Sequence, residues 1–101
     1  MQAIVEHEVK DYNTWKKHFD MDKKERKLRG ATGKESIFRD VNNPNKLMIT
    51  MEWDKRENFE KTFNSDELKQ VFKEAGVIKV PSVVFHEAYN KGATCDCYVM
   101  R

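Results

Sequence analysis

Histidine is the side chain in this sequence best suited to proton transfer near neutral pH, and the chain has 3. A neutral imidazole can take the proton of a phenol or enol, or hold a ligand oxygen by a hydrogen bond. No pair among His7, His18 and His86 has the i, i+3 or i, i+4 spacing of a helical metal motif, so we expect no metal site. His7 is the candidate catalytic residue, and a neutral histidine that only fills the core is the alternative.

Large aromatic side chains could form the wall of a pocket for an aromatic ligand. Trp53 ends the alternating segment KLMITMEW (46–53), where it is either a plug in the core or a pocket wall. Trp15 and Phe63 fall on the apolar faces of two predicted helices. We expect all three to be substrate-binding residues, and the alternative is that they only fill the core.

Two further motifs are weaker indications of function. Cys95 and Cys97 form a C-x-C pair that could bind a soft metal or exchange disulfides, but a single pair favours a plain tail. The basic run KKERKLR (23–29) could contact an anion or a phosphate backbone. Because Glu25 interrupts this run and no aromatic stacking platform accompanies it, we expect a solvated helix face and no nucleic-acid partner.

The composition limits the class of protein. A chain of 101 residues, 36% charged and 39% hydrophobic, is expected to form one domain that gains stability by pairing with a copy of itself. A net charge of +2 gives no strong attraction to nucleic acid or to a membrane. No apolar run approaches the roughly 18 residues of a membrane-spanning helix. The start, MQAIVEHEVK, lacks a secretion signal, and 2 cysteines give no disulfide framework, so we expect a cytoplasmic protein.

Period-two alternation predicts strands, because successive side chains of a strand point to opposite faces. The predicted strands cover residues 2–9, 34–40, 46–53 and 82–89. The turn residues NNPN (42–45) predict that the second and third strands form a hairpin.

Apolar residues at helical spacing predict the helices. A first helix begins after Asp11 as N-cap, and its apolar stripe fades after Met21, so we expect it to bend or end early. A second helix begins after Asp54, with Glu57 placed for a capping box. A third begins after Ser65 and ends at Gly76.

The order of these elements predicts a ferredoxin-like α+β domain, βαββαβ, over residues 1–90, followed by a tail at residues 91–101. Right-handed crossovers place the helices on one face of a four-stranded antiparallel sheet. His7 is expected beneath the helices. His86 is a candidate substrate contact whose face depends on one residue of register, and His18 could line a pocket mouth or be solvated.

The opposite face of the sheet mixes apolar and polar residues. It carries Ile4 and Met48 together with Glu6 and Thr50. Since this face is neither fully apolar nor fully polar, we expect it to be the contact of a homodimer.

Three stretches resemble the dimeric α/β-barrel superfamily, in particular its antibiotic-biosynthesis-monooxygenase-like domains. They are VKDYNTWKKHF, RDVNNPNKLMITMEW and the segment from Trp53 to Lys69 that contains SDELK. The resemblance covers about residues 2–89. It implies that two sheets pair into a shared barrel, with a ligand pocket in each subunit between sheet and helices. Several members of that superfamily oxidise aromatic substrates with molecular oxygen and no added cofactor.

A haem-degrading branch of the superfamily is a poorer match. Its pattern is an Asn on the first strand, a Trp ending the third and a His on the next helix. In this sequence the Trp position is Trp53, but His7 stands at the Asn position and Phe63 stands near the His position. Phe63 cannot ligate iron, so we expect no cofactor.

The sequence leaves two main hypotheses open. The first is a cofactor-independent oxygenase or a related isomerase that acts on a small aromatic or polyketide-like molecule, with His7 as base or hydrogen-bond donor. The second is a non-catalytic dimeric barrel that is a ligand-binding or stress-associated module. A third, weaker hypothesis is an anion- or nucleic-acid-binding module that uses the basic run at residues 23–29.

Overall fold

The computed structural model describes residues 1–79 and 81–87 of the chain. Within these residues it contains four strands and four helices: β1 (Gln2–Glu8), α1 (Tyr12–Met21), α2 (Lys23–Arg29), β2 (Ala31–Arg39), β3 (Lys46–Trp53), α3 (Arg56–Phe63), α4 (Asp66–Ala75) and β4 (Ser82–His86). The strands form one antiparallel sheet in the order β2-β3-β1-β4. The predicted ferredoxin-like α+β fold is therefore confirmed.

Some sequence predictions reach beyond the described part of the chain. Residues 88–89 of the predicted last strand, the domain limit at residue 90 and the tail with Cys95 and Cys97 lie outside the described residues. The proposed C-x-C chemistry therefore stays a prediction.

Alternation along the central strands places one face of the sheet in the core. Ala3 and Val5 of β1 are buried, and Val5 pairs with Ile49 of β3 on one side and Val83 of β4 on the other. The alternation in β3 runs from buried Leu47 to buried Trp53, over the predicted limits of this strand. The inward face of β1 and β3 is thus the floor on which the helices pack.

The second strand begins earlier than predicted. It starts at Ala31, which pairs with Trp53, whereas the alternating pattern predicts a start at residue 34. The pairing is irregular between Ala31 and Glu35, and Gly33 lies in this interval with a φ of +97°. Glycine tolerates this conformation without the penalty that a Cβ would bring, so the strand continues through a local bulge that hides the alternation.

The first helix is capped as predicted and then bends. Asp11 is the N-cap of α1, and its carboxylate accepts a hydrogen bond of 2.9 Å from the Thr14 N–H. At Asp22 the chain turns from α1 into α2, which ends at Gly30 with a φ of +130°. The loss of the apolar stripe after Met21 therefore marks a break between two helices.

The predicted cap of the next helix is wrong. The N-cap of α3 is Lys55, which has no side-chain cap bond. Asp54 Oδ1 instead accepts from the Lys55 N–H at 2.6 Å and from Asn58 Nδ2 at 3.0 Å. The Asp54 N–H donates to the Gly30 carbonyl at 2.9 Å. This bond attaches Asp54 to the turn before β2, and the N-cap position of α3 falls one residue later, at Lys55.

The final helix is fixed at both ends as predicted. Ser65 is the N-cap of α4, and its hydroxyl accepts from the Leu68 N–H at 3.2 Å. Gly76 ends the helix in the left-handed conformation, at a φ of +80°. Its carbonyl accepts from the Lys10 N–H at 2.9 Å, and Val77 forms a bridge with Val9. The C-terminal end of α4 is thus attached to the turn between β1 and α1.

No helix in residues 1–79 and 81–87 is both long enough and apolar enough to cross a membrane.

Candidate functional site

A cavity of about 70 Å³ lies between the inner face of the sheet and the helices. Its floor includes Val5, Ile49 and Met51, and its walls come from all four helices. The lining is predominantly apolar, as in most small-molecule sites. This volume is well below the roughly 150 Å³ of an engineered apolar cavity that holds benzene.

His7 lies at one end of this cavity. Its imidazole stands edge-to-face between two rings, with centroid distances of 5.7 Å to Trp15 and 6.0 Å to Phe72. Both ring nitrogens are buried and have no hydrogen-bond partner among the described residues. Burial lowers the pKa of His7 to about 4, because the charged form loses its hydration. His7 is thus neutral near pH 7, with one N–H donor and one acceptor left unpaired.

Trp53 is both a core residue and part of the cavity lining. It is 2% exposed and meets Phe59 edge-to-face at 5.4 Å. Its indole Nε1, which can only donate, is buried and has no acceptor among the described residues. Since buried polar atoms in proteins are nearly always hydrogen-bonded, an unpaired N–H beside a cavity indicates room for a water or a ligand oxygen.

The two unpaired residues lie far apart. His7 pairs with Leu47, and Trp53 is six residues further along the same strand. At about 3.3 Å per residue, this separates their Cα rows by roughly 20 Å. The sequence predicts that both belong to one pocket, and in the structure they lie at its opposite ends. A single aromatic ring therefore cannot contact both side chains.

Trp15 and Phe63 lie in the walls of the same cavity. Trp15 stacks on Phe19 at 4.9 Å along α1, and Phe63 stacks on Phe59 at 5.0 Å along α3. Phe63 also contacts Phe72 of α4 at 5.4 Å. These rings form a nearly continuous aromatic wall, and their contact with a ligand stays a prediction.

His86 does not line the cavity. The register pairs Gln2 with His86 and Ala3 with Phe85, so Phe85 points toward the core and His86 points to the opposite face. His86 is exposed on that face, and His7 lies on the other face of the sheet. From the sequence alone, the sheet face of His86 was undecided, because a shift of one residue in strand register reverses it. The observed pairing with β1 excludes His86 as a contact in the cavity under the helices.

Two polar residues of the lining were missed or misjudged in the sequence. Arg26 was assigned to a solvated basic face, but it is 6% exposed and lines the cavity. Its Nε and Nη2 donate to the Glu35 carboxylate at 2.8 and 3.2 Å, and its Nη1 donates to the Phe19 carbonyl at 2.9 Å. Asp22 also lines the cavity, and it was not among the candidate residues predicted from the sequence. The signal that could have found them is their spacing: Asp22 and Arg26 follow His18 at successive steps of four residues, on one helical face.

Of the two positions predicted for His18, a pocket mouth or the solvated surface, the structure shows the first. It is half-buried and lines the cavity beside the end of α1. His18, Asp22 and Arg26 together form a polar rim on an otherwise apolar wall.

The side chain near the haem-ligand position of the haem-degrading pattern does not fit a haem group. Phe63 stands near the position of the haem ligand in the related branch, and its ring is stacked on Phe59. A phenyl ring has no atom that can coordinate iron.

Neither a protein-family model nor a curated protein sequence matches the chain. Solved structures are similar to it. A Bordetella bronchiseptica protein assigned as an antibiotic biosynthesis monooxygenase is 14% identical, with a TM-score of 0.69 over 87% of this chain and 95% of that one. One from Nitrosomonas europaea with the same assignment is 12% identical, with a TM-score of 0.66 over 91% and 92%. SnoaB from Streptomyces nogalater, a cofactor-independent oxygenase, is 9% identical, with a TM-score of 0.62 over 89% and 95%.

At sequence identities this low, the structural similarity establishes a common fold. The expected resemblance is confirmed at that level, since the similarity extends over most of each chain. The chain has the fold of the antibiotic-biosynthesis-monooxygenase-like domains.

Proposed function

We propose that the protein is a cofactor-independent monooxygenase that acts on a small aromatic or polyketide-like molecule in the cavity between sheet and helices. The observation that carries this proposal is the set of unpaired nitrogens, His7 Nδ1 and Nε2 and Trp53 Nε1, buried beside an apolar cavity. An aromatic ligand with oxygen substituents would fill apolar space and supply a hydrogen-bond partner to His7 or to Trp53. The shared fold with SnoaB adds support for an oxygenase.

The chemistry requires no external reductant. An electron-rich substrate loses a proton, and the resulting anion transfers electrons to molecular oxygen. One oxygen atom enters the product and the other leaves as water, so a CH₂ group and O₂ become a carbonyl group and H₂O. The protein must bind the substrate, exclude water and stabilise the anion.

In this reaction His7 is the hydrogen-bond donor and not the base. Proton uptake would make His7 a buried cation, and loss of hydration disfavours that charge, which is why its pKa falls to about 4. A neutral imidazole can still donate its N–H to a developing oxyanion. Of the two roles that the sequence allows for His7, the lowered pKa favours the donor.

Substrate entry requires the walls of the cavity to move. The cavity of about 70 Å³ is smaller than the roughly 150 Å³ that accommodates benzene in an engineered apolar cavity. On α4, Leu68, Val71 and Phe72 are only half-buried, whereas Phe59 on α3 is fully buried. We expect α4 to move outward on binding, because its large apolar side chains on the cavity are held less tightly than those of α3.

Oxygen consumption tests the proposal. Purified protein is mixed with a panel of phenols and hydroquinones, and uptake is measured above the spontaneous rate. We expect uptake with at least one compound and a loss of about tenfold or more in kcat/KM for His7→Ala, because one donor to an oxyanion is removed. His86→Ala is the matched control, since this histidine lies on the other face of the sheet.

A ligand-binding module without catalysis is the second candidate. The low pKa of His7 and the small cavity both favour it, since neither suits a proton-transfer site without further groups. Binding of a panel compound with no oxygen uptake would favour this function and contradict the oxygenase.

We also propose that the protein is a homodimer formed through the outer face of the sheet. Phe38 is 50% exposed and Val84 is 54% exposed on this face. Phe38 pairs with Met48, and Val84 pairs with Ile4, so these four side chains form a diagonal apolar band. Burying such a band against a second copy is favourable. A groove of about 460 Å³ lies beside Phe38 and Met48.

Molar mass in solution tests the dimer. Light scattering after gel filtration at micromolar concentration should give twice the mass of the chain. Val84→Lys should give monomers because it places a charge in the band, and Lys55→Glu on the helical side should not. A wild-type monomer would contradict this assembly.

A further inference from the structure

The proposed reaction needs a group that removes a proton, and burial disfavours the cation that His7 would become in this step. The polar rim at the junction of α1 and α2 is the other place in the cavity lining where titratable side chains meet the apolar wall. His18 and Asp22 lie one helical turn apart there, and the Asp22 N–H donates to the His18 carbonyl at 3.1 Å. Both side chains are therefore on one helical face, toward the cavity.

The Asp22 carboxylate has no structural task in the described residues. Asp22 precedes α2 but makes no side-chain cap bond. Asp11 and Ser65, in the equivalent positions before α1 and α4, each accept a backbone N–H. No other donor reaches the Asp22 carboxylate within residues 1–79 and 81–87, so its oxygens are free to accept a proton.

The surroundings of Asp22 strengthen it as a base. Burial raises the pKa of Asp22, and the negative charge of Glu25 raises it further. The positive charges of Arg26 and Arg29 act in the opposite direction. Arg26 does not neutralise Asp22 in a close pair, because its guanidinium is bonded to Glu35 of β2. His18 on α1 faces the same part of the cavity, and His7 on β1 lies at its far end.

Asp22 lies in the same cavity lining as the two unpaired donors, His7 and Trp53. Trp15 contacts His7, and Asp22 at the end of α1 is seven residues further along the chain, which is about 10 Å by helical rise. A ligand in the cavity can present a C–H or O–H bond to Asp22 and an oxygen to one of the donors.

We propose that Asp22 is the general base of this cavity and that its substrates are neutral molecules with an acidic hydrogen next to a carbonyl or phenol oxygen. The inference rests on the proposed function. In the step, the substrate C–H or O–H bond breaks, its electron pair stays on the substrate as an enolate or phenolate, and the proton goes to an Asp22 oxygen. The oxyanion accepts a hydrogen bond from His7 or Trp53. Substrates that carry a carboxylate are disfavoured, because Asp22 repels them. An aspartate base that faces neutral donors to an oxyanion is an established arrangement for enolisation.

Hydrogen–deuterium exchange without oxygen tests this step alone. The probe is 2-tetralone, a neutral bicyclic ketone with acidic hydrogens between its ring and its carbonyl. The protein is incubated with it in D₂O under argon, and the loss of the CH₂ signal is followed by proton NMR. We expect exchange above the buffer rate for the wild-type protein and at least a tenfold loss for Asp22→Asn, which keeps the shape of the side chain.

The matched control is Asp20→Asn, two residues earlier. Asp20 is exposed and bonded to Lys16 at 2.7 Å, so its neutralisation should leave the exchange rate unchanged. The wild-type rate should also rise with pH as Asp22 loses its proton, and this rise should be absent in Asp22→Asn.

The outcomes separate this inference from the proposed function. Equal exchange in Asp22→Asn and wild type, or no exchange above buffer by the wild-type protein, would overturn the base. Exchange without any oxygen uptake would support the base and overturn the oxygenase. Oxygen uptake that is undiminished in Asp22→Asn would support the oxygenase and overturn the base.

Discussion

Burial has opposite consequences at the His7 end and at the α1–α2 junction of the cavity. Between Trp15 and Phe72, loss of water disfavours the charged imidazole, so His7 becomes a weaker base. At the junction, loss of water disfavours the charged carboxylate, so Asp22 becomes a stronger base. One physical cause thus suits the two residues to different tasks in the proposed enolisation, His7 as the donor and Asp22 as the base.

The largest expected effect tests the junction. Glu35→Ala should destabilise the protein by about 3–5 kcal/mol, because it leaves the Arg26 guanidinium buried without its partner. Urea denaturation measures the change. Glu25→Ala removes the partner of Arg29 in an exposed pair of 3.0 Å, and its cost should stay below about 1 kcal/mol. Equal costs for the two variants would contradict the buried position of Arg26.

The next effect tests the His7 end through pH. The pKa of His7 is 6.5 when unfolded and about 4 when folded, so the unfolded chain binds more protons between these values. The contribution of His7 is complete above pH 6.5 and is lost as the pH falls toward 4, by about 3 kcal/mol at most. Denaturation midpoints at pH 7.5 and 4.5 measure it.

The comparison of variants isolates His7 from carboxyl groups that titrate in the same range. His7→Leu should lose less stability than the wild-type protein on acidification. His86→Leu, exposed on the other face, should behave as the wild type does. A His7→Leu variant with the wild-type pH dependence would show that this imidazole is hydrated.

A smaller effect is expected where the junction meets β2. Gly30 has a φ of +130°, and a Cβ there would lie 2.5 Å from Asp54 Oδ1. Gly30→Ala should therefore cost about 1–3 kcal/mol. At Gly33 the nearest atom, 3.4 Å away, belongs to the flexible Lys27 side chain, so Gly33→Ala should cost less. Thermal denaturation of the two variants gives the order, and the reverse order would contradict the packing of Asp54 on this turn.

The smallest effect concerns α4, which forms one wall of the cavity. Ser65→Ala removes the hydroxyl that accepts the Leu68 N–H, and losing an N-cap costs about 1 kcal/mol. Amide hydrogen exchange should become faster in the first turns of α4 and stay unchanged in β3. Uniform acceleration across the chain would show that α4 does not open independently.

Local patterns in the sequence predicted the fold well. Alternation gave β3 its limits, and Asp11, Ser65 and Gly76 have the capping positions expected of them. These features depend on residues close together in the chain. The bulge at Gly33 and the bond from Asp54 to Gly30 join separate segments, so no local pattern predicts them.

The candidate site was predictable only in part, for the same reason. Alternation placed His7 on the inner face of β1. The face of His86 depends on its register with β1, and the inward turn of Arg26 depends on Glu35, nine residues away in another element. The distance between His7 and Trp53 follows from strand pairing and not from the type of either residue.

We expect the attachment of α4 to the turn after β1 to set the direction from which the proposed ligand enters. Gly76 and Val77 are held to Lys10 and Val9 by main-chain bonds, whereas the opposite end of the helix rests on the Ser65 cap. If α4 moves outward, we expect its last turn to stay in place and the rest of the helix to tilt about that turn. Its first turn, at Leu68, then makes the widest excursion, and the entrance forms on the side remote from His7.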